Sequence, residues 1–257
     1  PFLVDRLIGK RVRHDFVRLD AMRADSAFVK ALLKAVEHRR GARHMAVDSV
    51  CPYLKLPDSW DSYWTSIGKQ SRYNFNRKAK RLQARANGAI DYRRVESKTE
   101  LSDAVRELAR LHQSRQQQKG NAGAFAQSRA VEFHSRVAER FLEKGWLRLY
   151  LLMVGRRAIA AIYCYRFGST FSFYQSGYDP AWADCSPGAL IMLHAVKEAI
   201  NEGAHEFDFL RGEEPYKSLW TNTARTDQRL RIASSPPGWL ILGAYQLAYK
   251  SRRAIKA

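Results

Sequence analysis

Phe171-Ser-Phe-Tyr-Gln-Ser-Gly-Tyr178 predicts a β-strand, from which the neighbouring elements can be assigned. The turn Asp179-Pro-Ala-Trp-Ala-Asp-Cys185 follows, and Ser186-Pro-Gly188 then begins a helix that ends before Gly203. A short strand at residues 205–210 leads into the polar segment Arg211-Gly-Glu-Glu-Pro-Tyr-Lys217. Ligands of open sheets bind where strands end, so this order predicts a binding site beside the helix start.

The helix start has the residue types of a phosphate site. Ser186 can cap backbone N–H groups, Pro187 lacks an N–H at the first helical position, and Gly188 lets a ligand approach the backbone. The first turn, which includes Ala189, holds no carboxylate, so the helix dipole favours an anion there. The same pattern also suits an ordinary capped helix packed on a sheet by its apolar stripe, Ala189, Met192, Leu193, Val196 and Ile200.

Titratable side chains concentrate after the second strand, at Asp208, Arg211, Glu213, Glu214, Tyr216 and Lys217. Their position at the carboxyl end of a strand favours a functional site. A solvated loop held by salt bridges is the alternative for any single one of them.

The composition is that of a globular protein with a strongly basic charge. Of 257 residues, 46% are hydrophobic and 12% aromatic, and the formal net charge is +19. This excess favours an anionic partner, whether nucleic acid, a membrane surface or a phosphate-bearing ligand. Cys51, Cys164 and Cys185 are far apart and lack metal-ligand spacing, so we expect reduced thiols, a cytoplasmic location and no metal.

Two further segments suit anionic partners. Residues 69–85 form the densest basic run, and as a helix they would place Tyr73, Arg77 and Lys80 near one another. Such a helix can bind RNA, or it can present a solvated face. Near the end, the apolar run at residues 239–245 is too short to cross a bilayer. It suits either a docked terminal helix or an amphipathic helix on a membrane surface, followed by Lys250, Arg252, Arg253 and Lys256.

The predicted elements divide the chain into three parts. Residues 1–57 resemble the back half of a unit, with a strand at 15–19, a helix at 25–40 that Gly41 closes, and a strand at 44–50. Pro52 and Pro57 bracket an edge segment or linker. Residues 58–235 contain a strand, two helices, three antiparallel strands at 146–154, 158–167 and 170–178, a helix and a further strand, while residues 236–257 form a terminal helix. A glycine-bearing loop at 116–123 could fold over a substrate.

This order resembles the GNAT superfamily of N-acyltransferases. Several stretches are similar to its CelD-like branch of cellulose biosynthesis, which is related to the FemABX peptidyltransferases: residues 66–82, Gly177-Tyr-Asp-Pro180, Ser186-Pro-Gly188 and residues 207–217. The resemblance implies an α+β sandwich with a mixed, mostly antiparallel sheet, helices on both faces and a partial second GNAT-like unit before it.

The resemblance also implies an acyl-CoA donor, such as acetyl-CoA, in a V between the strands at 170–178 and 206–210. Its diphosphate would meet the N–H groups around Gly188 and Ala189, and backbone N–H groups of Gln175, Ser176 and Gly177 would polarise the thioester carbonyl. Asp208 and Glu213 are candidates for the general base, and Tyr178 and Tyr216 for the proton donor to the thiolate. Arg211, Lys217, Arg72 and Arg77 are candidates for substrate binding; the alternative for Arg211 and Lys217 is that they set the loop through a carboxylate pair.

The sequence is compatible with three functions. The first is acyl transfer from acyl-CoA to an amine of a small molecule or glycan, in cell-envelope or exopolysaccharide synthesis. The second is aminoacyl transfer from tRNA, in which the basic helix would bind the RNA. The third is a non-catalytic basic module that binds either polysaccharide machinery or an anionic membrane surface; the protein would be cytoplasmic, or peripheral to the membrane in the latter case.

Overall fold

A computed structural model describes residues 14–37, 42–118, 120–233 and 235–254. The described residues divide into two compact units, one within 53–210 and the other formed by those of 1–52 together with those of 211–257. The strands are β1 (Phe16–Arg23), β2 (Ala42–Lys55), β3 (Ile90–Arg94), β4 (Leu147–Val154), β5 (Arg157–Phe167), β6 (Thr170–Tyr178), β7 (Glu206–Asp208) and β8 (Ala224–Ala233). The helices are α1 (Ala27–Glu37), α2 (Trp60–Ser66), α3 (Lys69–Arg85), α4 (Lys98–Gln118), α5 (Ser128–Glu143), α6 (Pro187–Asn201) and α7 (Pro236–Ala254).

The unit of residues 53–210 is built on a mixed sheet. Strands β3, β4, β5 and β6 are antiparallel neighbours, and β7 pairs with β6 in parallel. The end of β2, from Tyr53 to Lys55, pairs antiparallel with β7. Alternation along β4 separates two faces. Leu149 and Leu151 enter a core with α4 and α5, whereas Tyr150 contacts His194 of α6.

The other unit packs α1 against a three-stranded antiparallel sheet. Strand β8 lies between β1 and the first part of β2, through Pro52. Val29 and Leu32 of α1 are buried against Leu230 and Ile232 of β8. Helix α7 packs on β8 and β1. None of the helices in the described residues is long and apolar enough to cross a membrane.

The α+β class and its mostly antiparallel sheet with helices on both faces are confirmed, and the three consecutive strands at 146–178 form as predicted. Two details differ. The strand predicted at 44–50 ends before Pro52, whereas β2 continues through Pro52 to Lys55. At Pro52 the partner of β2 changes from β8 to β7, and Tyr53–Lys55 are paired strand residues. The predicted strand at 205–210 is shorter, since Leu210 takes a positive φ of 55° two residues after Asp208.

The predicted helix end at residues 38–41 lies outside the described residues. The predicted domain boundaries at 57/58 and 235/236 stay predictions, because they separate evolutionary units, whereas the two compact units are defined by contacts within the chain. Within α6, the buried face includes Leu190, Ile191 and Ala195 as well as Met192 and Val196, so this helix is covered more widely than one stripe predicts.

Candidate active site

Strands β6 and β7 form a wedge. Their parallel pairing consists of Thr170 with Glu206, Phe171 with Phe207 and Ser172 with Asp208. Beyond Ser172, β6 continues for six residues to Tyr178, whereas β7 has ended. The rings of Phe173 and Phe209, 6.4 Å apart, fill the base of the wedge where pairing stops.

A bulge in β6 lies at the opening of this wedge. Gln175 pairs with Tyr163 of β5 and Phe173 with Cys164, so Tyr174 is an extra residue. Past the bulge, Asp179 N–H donates to Ile159 O of β5 at 2.8 Å. Successive amides of a strand point to opposite sides, so the N–H groups of Ser176 and Tyr178 point away from β5, toward the side that β7 leaves uncovered.

Helix α4 packs directly on the end of β6. A Cβ atom on Gly177 would lie 2.2 Å from the backbone nitrogen of His112 and 2.4 Å from the carbonyl carbon of Leu111. Gly177 therefore allows a helix backbone to approach the strand. This is a packing role for a residue that the sequence assigned to the cofactor.

His112 joins three segments. Its Nε2 accepts a hydrogen bond from Ala124 N–H at 3.2 Å, so its Nδ1 carries the proton and donates to Ser176 O at 3.1 Å. Burial lowers the pKa of His112; the hydrogen bond to Ser176 opposes this effect and the charge of Arg115 adds to it. The neutral imidazole thus holds β6, α4 and the loop after α4 together.

The loop predicted to fold over a substrate is attached to α4 instead. Gln116 to Gln118 are part of α4, and Lys119 lies outside the described residues. Gln113 Nε2 donates to Ala122 O at 2.8 Å, and the buried ring of Phe125 packs against His112.

The start of α6 lies beside the end of β6. Ser186 is the N-cap but has a left-handed backbone with φ 52°, and its side chain makes no cap hydrogen bond, contrary to the prediction. Ala189 N–H donates to Ser186 O at 3.0 Å. A Cβ on Gly188 would lie 3.2 Å from the Tyr178 ring, so this ring approaches Gly188 closely. The guanidinium of Arg115 lies 5.3 Å from the centre of the same ring.

Asp208 is buried at the end of β7, where its Oδ1 accepts from Leu210 N–H at 2.8 Å. This bond stabilises the turn that ends the strand. Whether Asp208 also acts as a base stays a prediction.

The remaining candidates after β7 belong to the other compact unit. There Lys217 is buried, and its Nζ donates to Arg211 O at 2.9 Å and pairs with Glu214 at 2.8 Å. Burial would raise the pKa of Glu214, but the hydrogen bond from Lys217, a backbone hydrogen bond and the charge of Lys217 together lower it by more. Lys217 therefore holds the segment from Arg211 to Glu214 in shape. Glu213 and Arg211 are exposed, and Tyr216 is half-buried.

In α3, the two predicted substrate-binding arginines differ. Arg72 Nη1 donates to the carbonyls of Trp64, Thr65 and Ile67, at the end of α2, so it stabilises a helix end. Arg77 is exposed and lies 5.9 Å from the centre of the Tyr73 ring, which is 60% exposed. Arg81 donates to Asp184 O at 2.9 Å, and Arg85 lies over Trp182.

The described residues contain no group of three or more His, Cys, Asp and Glu that could hold a metal ion. Sequence reasoning missed His112, Arg115 and the bulge at Tyr174. His112 and Ser176 are separated by 64 positions, and neither has a local pattern that indicates the other.

The geometry defines a mixed α+β domain in which a parallel strand pair splays beside a helix start. Residues 69–218, more than half of the chain, match the family described as the Acetyltransferase (GNAT) domain. The chain therefore belongs to this family of GNAT acetyltransferase domains.

Solved structures share the fold. FemX is 11% identical with a TM-score of 0.68, and the match covers 93% of this chain and 77% of FemX. A conserved protein of unknown function from Bacteroides thetaiotaomicron VPI-5482 is 12% identical with a TM-score of 0.58, over 84% and 69% of the two chains. L-PGS from Bacillus licheniformis is 12% identical with a TM-score of 0.53, over 88% and 71%. No curated protein sequence matches significantly.

Proposed function

We propose that this protein is an N-acyltransferase that transfers an acyl group from acyl-CoA to an amine. One observation carries the proposal. The pairing of β6 with β7 stops at Ser172 and Asp208, and the amides of Ser176 and Tyr178 point to the uncovered side. An extended thioester donor needs such an edge, because strand-like hydrogen bonds would hold it along β6.

The residues of the wedge suit the steps of acyl transfer. His112 bonds the carbonyl oxygen of Ser176 at 3.1 Å and so fixes β6 next to the Ser176 N–H, which can stabilise negative charge on a thioester oxygen. As the amine attacks the carbonyl carbon, a base must take its proton, and the C–S bond then breaks. Tyr178 is the candidate donor of a proton to the departing thiolate, and Asp208 is the candidate base of this unit.

The start of α6 is the proposed diphosphate site. Because Ala189 N–H is bonded to Ser186 O, the N–H of Gly188 is the first-turn donor that can meet an anion. No acidic residue lies in the first turn of α6.

Replacing Ala189 with glutamate tests this site. The third helical position of α6 would then carry a negative charge, and we expect acetyl-CoA affinity to fall about tenfold or more, through repulsion of a diphosphate. Ala130→Glu is the matched control, since Ala130 is half-buried at the third position of α5, whose first turn also has no acid. Calorimetry with acetyl-CoA is the measurement, and thermal unfolding should change little in both variants.

Wild-type protein that binds neither acetyl-CoA nor CoA would contradict the proposal, as would equal binding by the Ala189→Glu and wild-type proteins. Asp208→Asn keeps the oxygen that accepts from Leu210 but removes the charge. Unchanged thiol release by this variant would exclude Asp208 as the base.

The narrower assignment rests on the resemblance of Gly177-Tyr-Asp-Pro180 and residues 207–217 to CelD-like proteins. It supports an amine acceptor of cell-envelope or exopolysaccharide synthesis. Release of free thiol from acetyl-CoA, measured over a panel of amino sugars, peptides and polyamines, tests it, and turnover with polyamines alone would argue against it.

A second candidate, aminoacyl transfer from tRNA, is favoured by α3. The helix has no acidic residue, and Tyr73 and Arg77 form an exposed aromatic and basic pair. Arg72, Arg81 and Arg85, in contrast, bond within the protein. Salt-sensitive tRNA binding that Arg77→Ala weakens, without acetyl-CoA binding, would favour this candidate. A protein that binds neither ligand would be a non-catalytic basic module.

A further inference from the structure

Helix α7 contacts its own unit through one face. A Cβ on Gly238 would lie 1.8 Å from Asp15 O, so the start of the helix directly contacts the backbone just before β1. Leu242 is buried, and the Tyr245 ring lies 4.9 Å from the guanidinium of Arg231. These positions are four and three residues apart, so they form one face of the helix. This inner face determines how α7 lies on the sheet.

The layer beneath α7 is charged. Arg231 is 2% exposed and donates to Leu19 O at 2.9 Å, and its guanidinium also pairs with Asp20. Arg229 pairs with Asp48 at 2.5 Å and donates to the Tyr245 hydroxyl at 3.3 Å. The face of α7 that meets the sheet therefore combines the buried Leu242 with a tyrosine that contacts arginine side chains.

Four large apolar side chains of α7 are exposed. Leu240 and Leu247 are each two residues beyond an inner-face position, which rotates them about 200° around the helix axis. Leu240 is 77% exposed and Leu247 is 69% exposed, and Trp239 and Ile241 flank them at 52% and 49%. We call these four residues the outer face. No charged residue occurs in α7 before Lys250.

We propose that the outer face of α7 binds the surface of an anionic phospholipid bilayer. Exposed leucine, isoleucine and tryptophan on one side of a helix suit the boundary between headgroups and acyl chains. Helix α7 has no acidic residue and continues through Lys250, Arg252 and Arg253 to Ala254, so its charge complements anionic headgroups. Two copies of a chain with a net charge of +19 repel each other, which disfavours this face as a dimer contact. The inference is independent of acyl transfer.

Vesicle co-sedimentation tests the proposal with the 257-residue chain. We expect binding to phosphatidylcholine vesicles that contain phosphatidylglycerol, and weaker binding as salt rises from about 0.1 M to about 0.5 M. The double variant Leu240→Ser/Leu247→Ser should lower the partition coefficient by about tenfold or more. Leu219→Ser is the matched control, because Leu219 belongs to the same compact unit, is 80% exposed and lies outside α7; its binding should equal that of the wild type.

Three results would overturn the proposal. One is a wild-type protein that does not sediment with anionic vesicles. Another is a double variant that binds them as well as the wild type does, while circular dichroism shows that it is folded. The third is a wild-type dimer, measured by light scattering, that the double variant dissociates without any vesicle binding, since this would assign the outer face to a second copy.

Discussion

Replacing Gly177 with alanine will perturb the contact between α4 and β6. The added Cβ would lie 2.2, 2.4 and 2.6 Å from the nitrogen of His112, the carbonyl carbon of Leu111 and the Cα of His112. All three are helix backbone atoms, so no side-chain rotation relieves the clash, and α4 must move outward by about 1 Å, given that carbon atoms pack at about 3.5–4.0 Å.

The cost of this movement follows from the contacts it disturbs. Overpacking of a buried site costs about 1–3 kcal/mol, and stretching the hydrogen bond from His112 to Ser176 adds about 1 kcal/mol. We therefore expect the free energy of unfolding to fall by about 2–4 kcal/mol. For a unit of this size that corresponds to a decrease in Tm of about 5–15 °C.

Thermal unfolding followed by circular dichroism measures the change, with Gly88→Ala as the control. Gly88 belongs to the same unit, and its nearest neighbour would be 3.9 Å from an added Cβ. A Gly177→Ala protein that melts within about 2 °C of the wild type would refute the packing argument, because a clash of this size cannot be neutral. Since the same contact orients Ser176, acetyl-CoA binding should weaken in parallel.

Two further substitutions test buried titratable side chains in the same unit. Glu202→Gln should lower the free energy of unfolding in urea by about 2–4 kcal/mol, because the almost buried Arg148, 2.5 Å from Glu202, loses its carboxylate partner. The exposed control Glu132→Gln should lower it by at most about 1 kcal/mol. Equal losses in the two variants would contradict this reasoning. Burial would raise the pKa of Glu202, but Arg148, together with Arg94 and Arg166, lowers it by more. Wild-type stability should therefore fall as pH drops through that lowered pKa, and this loss should be absent in the variant. Burial, aided by Lys197, lowers the pKa of His194 to about 4. The unfolded chain therefore takes up a proton first, and stability should fall by about 2 kcal/mol between pH 7 and pH 5. His194→Phe should remove that part of the pH dependence, and an unchanged slope in denaturation midpoints would argue against it.

Local signals in the sequence predicted most of the elements. The strands β4 to β6 alternate with glycine turns at 155 and 168, both of which take positive φ, so neighbouring residues were sufficient to predict the two hairpins. The capping pair Ser97 and Glu100 and the helix stop at Gly203 likewise depend on residues a few positions apart.

Individual roles depended on contacts between distant positions. Arg72 has the sequence context of a phosphate-binding residue, but the three carbonyls that end α2 lie within its reach. Gly177 was predicted to contact a ligand from its local sequence, whereas its close contact with the backbone of α4 is visible only in the structure. A side chain's donors and size are visible in the sequence, whereas its partners depend on which elements pack beside it.

By itself, the sequence determined the element types, the α+β class, the basic charge and the helix that begins at Pro187, because propensity, capping and periodicity act between close neighbours. Only the tertiary structure decided that β6 continues unpaired with β7 after Ser172, that His112 bonds to Ser176, and that Leu240 and Leu247 of α7 are exposed. These features arise from the competition of distant segments for the same space, which no short stretch of residues records.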